Sequence, residues 1–443
     1  MANEKKETEL TPRELRRKRR IRNQILAYLT VGLLLCIVIV GCTLGVKMVV
    51  KTVQERKEIQ EMAAQLEEMS TVEEPEAVVQ ETPPVEEIEE YTEEDLLEEI
   101  VDSCIAEMPL EERVAGLFMI TPEALTGVDV ATIAGSGTEE ALIKYPVGGL
   151  VYFSQNMTSD EQFKDMLSTT TTMSKYPLFL AVDEEGGDVT RFATAGMDVP
   201  GIVSMGEIGA EGDTSKAYAA ANTIGNYLGA YGINLNFAPV ADVAGSDTSV
   251  IGTRSFGSDA TQVSQMVDAA IRGTEDAGIS ACIKHFPGMG SVVELAQEGV
   301  TVSELTKEQL QEVDLLPFQA GVQADVDMIM VSHIAFPAIT GDEVPSSLSA
   351  GIVTDLLRNE LGYTGVVITD ALDDKTVSEQ YTSAEAAVMA LQAGIDMILM
   401  PENFEEAYEG VLAAVADGTL TEERITESLE RIYRVKYRGV LEE

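Results

Sequence analysis

Short apolar runs alternate with longer amphipathic stretches along residues 109–443. The runs are apolar for most of their length, which is typical of strands buried on both faces of a parallel sheet. Several intervening stretches, such as 215–231, 260–277 and 384–393, have the spacing of amphipathic helices. This alternation predicts an α/β fold, a (β/α)8 barrel of the TIM type, over 109–443. The eight runs are 116–121, 148–153, 178–183, 235–242, 280–285, 328–333, 365–370 and 396–401.

A doubly wound open sheet is the alternative architecture for the same alternation. No G-x-G-x-x-G motif follows the first run, as a dinucleotide-binding sheet would require. The number of runs also suits a closed barrel, so we expect the barrel.

A long uncharged segment lies near the N-terminus. Residues 25–46 carry no charge and are mostly apolar, and a basic cluster at 16–20 precedes them. A bilayer core of roughly 30 Å needs about 20 such residues as a helix. We therefore expect a single-pass anchor at 25–46 in the cell membrane, with residues 1–24 cytoplasmic and the barrel outside. The alternative is a lipoprotein signal cleaved before Cys42.

An acidic stretch separates this segment from the first apolar run. Residues 71–100 hold thirteen Asp and Glu, no Lys or Arg, and three prolines. Self-repulsion and proline keep such a stretch extended. The sequence thus predicts a partly disordered linker over 47–108.

The composition narrows the function classes. The chain has 76 Asp and Glu against 30 Lys and Arg, a formal net charge of −46, which argues against nucleic-acid binding because phosphates require clustered cations. Only 2 His and 4 Cys are present, so a zinc site or a disulfide framework is not expected. We expect no metal and no cofactor.

Polar side chains stand at or near the ends of five of the eight runs. The carboxyl ends of barrel strands share one mouth, where active sites are built. We therefore expect a site there, and not a barrel that serves only as a spacer in a membrane protein. The residues are Asp183, Asp242, Lys284 with His285, His333 and Asp370.

Several of these residues lie in recognisable motifs. Residues 183–191 resemble the D-x-E-G-G-x-V-x-R signature of glycoside hydrolase family 3, and 284–288 resemble the family's K-H-F-P-G segment. Segments 238–242, 252–257 and 368–372 are also similar to family motifs, in the same order. The resemblance covers about 109–440 and is strongest to single-domain bacterial β-N-acetylhexosaminidases. It implies a retaining hydrolase that releases terminal β-N-acetylglucosamine from cell-wall-derived or related glycans.

The resemblance also implies residue roles. Asp370 would be the nucleophile that forms a covalent glycosyl-enzyme, although an aspartate after a strand can also cap a helix. The sugar hydroxyls would be bound by Asp183, Arg191, Arg254, Lys284 and His285. From the residues alone, both arginines could instead be structural, paired with Asp242 or Glu185. His333 is expected to be a core residue or to support the site from behind.

One part of the family pattern is missing. Met289 stands where the family has a loop histidine, and 295–297 read Leu-Ala-Gln where the Asp-x-His acid/base pair would fall. Loss of general acid catalysis typically costs about 10²–10⁴-fold. Glu294 or Glu298 on the same loop could supply the proton. Alternatively, the enzyme could act on substrates with good leaving groups, or it could use phosphate as the acceptor. The alternative is a glycan-binding pseudoenzyme.

Overall fold

The computed structural model describes residues 92–244 and 249–441, all within one compact unit that spans 89–443. The predicted cytoplasmic segment 1–24, the membrane span 25–46 and most of the predicted linker lie outside the described residues and stay predictions. Within 92–244 and 249–441, no helix is both long and apolar enough to cross a bilayer.

The centre of the unit is a nearly closed, eight-stranded parallel barrel. The strands are β1 Phe118–Ile120, β2 Gly149–Val151, β3 Phe179–Val182, β4 Glu184–Gly186, β5 Val189–Thr190, β6 Leu235–Asn236, β7 Ser280–Phe286, β8 Met328–Val331, β9 Val366–Thr369 and β10 Ile398–Leu399, of which β4 and β5 form a separate antiparallel hairpin. The barrel strands run in the order β10-β1-β2-β3-β6-β7-β8-β9, and a bridge between Ile368 and Met397 brings β9 beside β10. A barrel strand lies at each of the eight predicted runs, which confirms the predicted barrel and not the open sheet.

Helices surround the barrel, and the three predicted from periodicity are confirmed at Thr214–Tyr231, Ala260–Glu275 and Ser383–Ala393. These helices begin with side-chain caps; for example, the Asp213 side chain accepts a hydrogen bond from Ser215 N. The other α-helices are Glu93–Ala106, Leu110–Ala115, Pro122–Thr126, Ser136–Lys144, Asp160–Met173, Arg191–Thr194, Met205–Ala210, Lys307–Glu312, Leu315–Gln323, Pro337–Thr340, Lys375–Ser378, Phe404–Ala416 and Glu422–Leu441. A π-helix spans Gly351–Glu360, and 3-10 turns span Ser154–Asn156, Gly252–Arg254 and Ser346–Leu348.

The linker prediction is wrong at its C-terminal end. Residues Glu93–Ala106 form a helix that contacts the last helix, Glu422–Leu441. Leu97, Val101 and Ile105 recur every four residues along it and are buried. Burial of this apolar stripe stabilises the helix despite its acidic composition. The folded unit therefore begins before residue 109.

A buried charge cluster stabilises the end of the barrel that lies opposite the strand-end residues. Asp396, just before β10, is fully buried. Its carboxylate pairs with Arg358 and with Arg431 (3.0 Å), and it accepts from Ser428 Oγ (2.8 Å) and Val367 N (2.9 Å). Because the buried charge is fully hydrogen-bonded, its desolvation is offset. The cluster joins the last helix to β9 and β10.

Candidate active site

The six residues to which the resemblance assigns roles line one cavity of about 390 Å³ at the carboxyl ends of the barrel strands, whereas the strand-end residues Asp242 and His333 are not among its lining residues. The parallel barrel brings them together from distant points of the chain. Phe153, Phe237 and Met400 are among the apolar residues that complete its wall. The cavity-lining residues of the prediction are Asp183, Arg191, Arg254, Lys284, His285 and Asp370.

Lys284 is the buried cation at the centre of this site. Its side chain is 2% exposed, and Nζ lies 2.6 Å from Asp183 Oδ1 and 2.7 Å from Glu185 Oε1. Burial alone would lower the pKa of Lys284, but the two carboxylates outweigh it and raise the pKa. Lys284 therefore stays charged and holds two carboxylates in place.

Glu185 binds Arg254 as well as Lys284. Arg254 Nε and Nη2 donate to the two carboxylate oxygens of Glu185, each at 2.8 Å. Burial would raise the pKa of Glu185, but Lys284 and Arg254 lower it to about 2. Arg254 thus has the structural partner that the sequence allowed for, and it also lines the cavity.

Arg191 is positioned by the hairpin β4–β5 and by Glu184. Its Nη2 donates to Asp183 Oδ2 at 3.1 Å, and its guanidinium lies 5.3 Å from the ring centre of Phe153. Glu184 Oε2 accepts from Arg191 N at 2.6 Å, and Glu184 Oε1 accepts from Tyr227 Oη at 2.8 Å. Burial raises the pKa of Glu184. These bonds fix the backbone from which Arg191 reaches the cavity.

His285 and Asp242 form a buried pair. His285 Nδ1 lies 2.7 Å from Asp242 Oδ2, so Nδ1 donates to the carboxylate. His285 Nε2 lies 3.4 Å from Arg254 Nη2, which can only donate. The Nε2 atom therefore carries a lone pair and accepts.

Asp370 follows β9 and has one carboxylate oxygen engaged. Oδ1 accepts from Ala371 N at 2.8 Å, whereas Oδ2 accepts no hydrogen bond from any residue in the described part of the chain. The geometry leaves Oδ2 available to a ligand in the cavity. His333, at the end of β8, does not line the cavity; it is buried against the segment after Asp370.

The loop that follows β7 lacks a titratable group at the cavity. Met289 is half-buried, and Glu294 and Glu298 are exposed; none of the three is among the cavity-lining residues. The loop is seated closely at Gly290, where a Cβ would lie 1.7 Å from Val243 O. Only glycine fits that approach.

Glu184 and Glu185 also belong to the site, although neither was among the residues with a predicted role. Glu184 and Glu185 follow Asp183 directly in the D-x-E motif, so a second and third carboxylate at one strand end were the available signal.

The family is decided by comparison with known sequences. The sequence model of the Glycosyl hydrolase family 3 N terminal domain matches residues 110–435. The chain belongs to glycoside hydrolase family 3. This confirms the family suggested by the sequence motifs.

Two curated family 3 relatives are similar over most of the barrel. The beta-hexosaminidase of Chromobacterium violaceum is 33% identical over 319 residues, which is 71% of this chain and 88% of that protein. Beta-hexosaminidase A of Pseudoalteromonas piscicida is 32% identical over 324 residues, which is 67% of this chain but 54% of that protein. This chain thus spans about half the length of the second relative.

A solved family 3 structure has the same barrel. The β-N-acetylglucosaminidase from Paenibacillus sp. str. FPU-7 has a TM-score of 0.71 and 34% sequence identity, covering 76% of this chain and 64% of that one. The likeness supports the TIM-type architecture of the described residues.

Proposed function

We propose that this family 3 barrel is a retaining glycosidase that releases terminal β-N-acetylglucosamine from cell-wall-derived or related glycans. The observation that carries the proposal is the free Oδ2 of Asp370, in one cavity with buried charged groups. The relatives named beta-hexosaminidase and the neighbour named β-N-acetylglucosaminidase support the substrate class.

The charged groups suit a sugar. Asp183, Lys284 and Arg191 are already held by one another, so their remaining hydrogen-bonding capacity is preorganised towards the cavity. Charged hydrogen bonds to hydroxyls discriminate strongly against sugars that lack them. We infer that these residues, with Arg254 and His285, bind the terminal sugar.

Asp370 would act by a two-step displacement. In the first step its Oδ2 forms a bond to the anomeric carbon, the bond from that carbon to the leaving oxygen breaks, and that oxygen takes a proton. In the second step a water oxygen attacks the same carbon, the Asp370 ester bond breaks and the water gives up a proton. Two inversions give net retention.

The first step needs a group that protonates the leaving oxygen. Glu185, with its pKa lowered to about 2, is ionised at neutral pH, and Lys284 and Arg191 lower the pKa of Asp183 against the effect of burial. His285 Nε2 faces Arg254 Nη2, which can only donate, at 3.4 Å. We infer that Glu294 or Glu298 approaches by movement of the loop after β7, or that turnover is confined to good leaving groups.

An activated substrate separates these steps. The purified full chain in detergent is assayed on 4-nitrophenyl β-N-acetylglucosaminide beside Asp370→Ala. We expect turnover that Asp370→Ala abolishes, because an activated leaving group needs little protonation. Glu294→Gln and Glu298→Gln should leave this rate unchanged. Replacement of the glutamate that supplies the proton should slow the release of N-acetylglucosamine from chitobiose by about 10²–10⁴-fold.

The second candidate is a glycan-binding pseudoenzyme, favoured by the lack of a proton donor among the cavity-lining groups described above. It predicts no turnover of either substrate. It also predicts that N-acetylglucosamine raises the melting temperature of wild type and of Asp370→Ala alike, since a ligand that binds only the folded state stabilises it.

We also propose that residues 25–46 anchor the chain in the cell membrane with the barrel outside. The uncharged length and the basic cluster before it support this orientation. Protease added to intact cells should remove the barrel but spare a tag fused to residue 1. Lipid attachment at Cys42, detected by mass spectrometry and lost in Cys42→Ser, would show that the chain is a processed lipoprotein and has no anchor at 25–46.

A further inference from the structure

His333 lies directly behind the segment that carries Asp370. β8 and β9 pair in register up to Val331 opposite Thr369, and Asp370 N continues the ladder by donating to Val331 O at 2.8 Å. His333 lies two residues beyond Val331 and is 7% exposed. It lies outside the cavity and touches the backbone on the far side of Asp370.

The His333 imidazole has two defined partners. Nε2 lies 2.9 Å from the carbonyl oxygen of Ala371, which can only accept, so Nε2 carries the proton. Nδ1 lies 2.8 Å from Ser347 Oγ, and in the neutral ring it accepts from that hydroxyl. Ser347 is fully buried, so the ring is held from both sides.

The contact with Ala371 bears on Asp370. The peptide group between Ala371 and Leu372 is held at its oxygen by His333 and at its nitrogen by Leu399 O, which accepts at 3.0 Å. These two bonds restrict rotation about the Cα–C bond of Ala371 and hold this residue in place. Its own N–H, in the preceding peptide group, donates to Asp370 Oδ1 at 2.8 Å. Displacement of Ala371 would therefore move the donor that orients the carboxylate.

We propose that His333 is a positioning residue that aims Oδ2 of Asp370 into the cavity by clamping the peptide after Ala371. The inference rests on the proposed function, because it assigns a purpose to the orientation of the nucleophile. A preorganised nucleophile lowers the barrier without changing how substrate is bound. Loss of the clamp should therefore lower kcat and leave KM unchanged.

Two replacements of similar size separate the two contacts. In His333→Gln, the amide nitrogen reaches the place of Nε2 and keeps the bond to Ala371 O. In His333→Asn, the shorter amide reaches only the place of Nδ1 and keeps the bond to Ser347. On the activated aryl glycoside we expect about three- to tenfold lower kcat for His333→Asn, the worth of one hydrogen bond, and rescue in His333→Gln.

Hydrogen exchange tests the clamp without turnover. The full chain in detergent is exchanged and digested, and the peptide that contains Ala371 and Leu372 is followed by mass spectrometry. We expect faster exchange in His333→Asn than in wild type, with His333→Gln close to wild type, at matched melting temperatures.

The outcomes distinguish the two proposals. Equal kcat and equal exchange in all three proteins would overturn the positioning role, and so would equal losses in both variants with a lowered melting temperature, which indicate packing alone. A wild type that does not turn over contradicts the proposed function, and exchange at 371–372 then decides the clamp by itself.

Discussion

Asp314 should make the barrel less stable as pH rises. It starts the helix Leu315–Gln323, is 3% exposed, and its Oδ1 has no hydrogen-bond partner in the described part of the chain. The carboxyl is packed against Gly288, whose added Cβ would lie 2.9 Å from Oδ1. Burial and, to a lesser degree, the negative charge of Asp242 raise its pKa from 3.8 to about 7.

The size of the effect follows from linkage. A carboxyl whose pKa is higher in the folded than in the unfolded state favours folding below the unfolded pKa, and this contribution is lost as pH rises through the folded pKa. The gap of about 3 pH units is worth about 4 kcal/mol. Asp314→Asn removes the charge and keeps the shape. We therefore expect the variant to be more stable than wild type above pH 8 by up to about 4 kcal/mol, and equal to it near pH 4.

Urea unfolding of both proteins at pH 5, 6, 7 and 8 measures the difference. The advantage of Asp314→Asn should grow by about 2.5 kcal/mol between pH 5 and pH 8. Asp165→Asn, an exposed aspartate of the helix Asp160–Met173, is the matched control and should show no such trend. An advantage independent of pH, or a variant less stable than wild type at pH 8, would refute the reasoning.

Three further variants test the packing of the site and the barrel. Lys284→Met leaves two carboxylates without their shared cation and should lower the free energy of unfolding by about 3–5 kcal/mol. In a melting experiment it should also lose the stabilisation by N-acetylglucosamine. An unchanged unfolding midpoint would contradict the central role of Lys284. Asp396→Asn removes the buried charge that pairs with partly buried arginines and should lower the free energy of unfolding by a similar amount in urea. Sugar-dependent stabilisation should persist. Gly290→Ala places a Cβ against Val243 O and should lower kcat/KM by up to about 100-fold, with the circular dichroism spectrum unchanged. Wild-type kinetics would show that activity does not require the close contact between Gly290 and Val243 O.

The helix Glu93–Ala106 shows what a composition argument overlooks. Its acidic residues suggested a linker, yet Thr92 and Asp95 form a capping box and Leu97, Val101 and Ile105 make an apolar stripe. Both signals are present in the sequence. Whether such a stripe folds depends on a partner surface, which the helix Glu422–Leu441 supplies from more than 300 residues away.

Local patterns were enough for the barrel and for several members of its site. A buried strand and an amphipathic helix each leave a periodic trace in the sequence, and a parallel barrel places every strand end at one mouth. Asp183, Lys284 and Asp370 could therefore be assigned to one site before their distances were known. The motifs added the roles expected for each.

Pairing and burial depended on the fold. Lys284 contacts Asp183 across 101 residues, and no local signal states which distant carboxylates a cation will contact. His333 reaches the Ala371 carbonyl because β8 and β9 are neighbours in the barrel, and Asp314 is buried where it packs against Gly288. Hydrogen-bond geometry and desolvation are properties of three-dimensional packing, so the tertiary structure alone decides them.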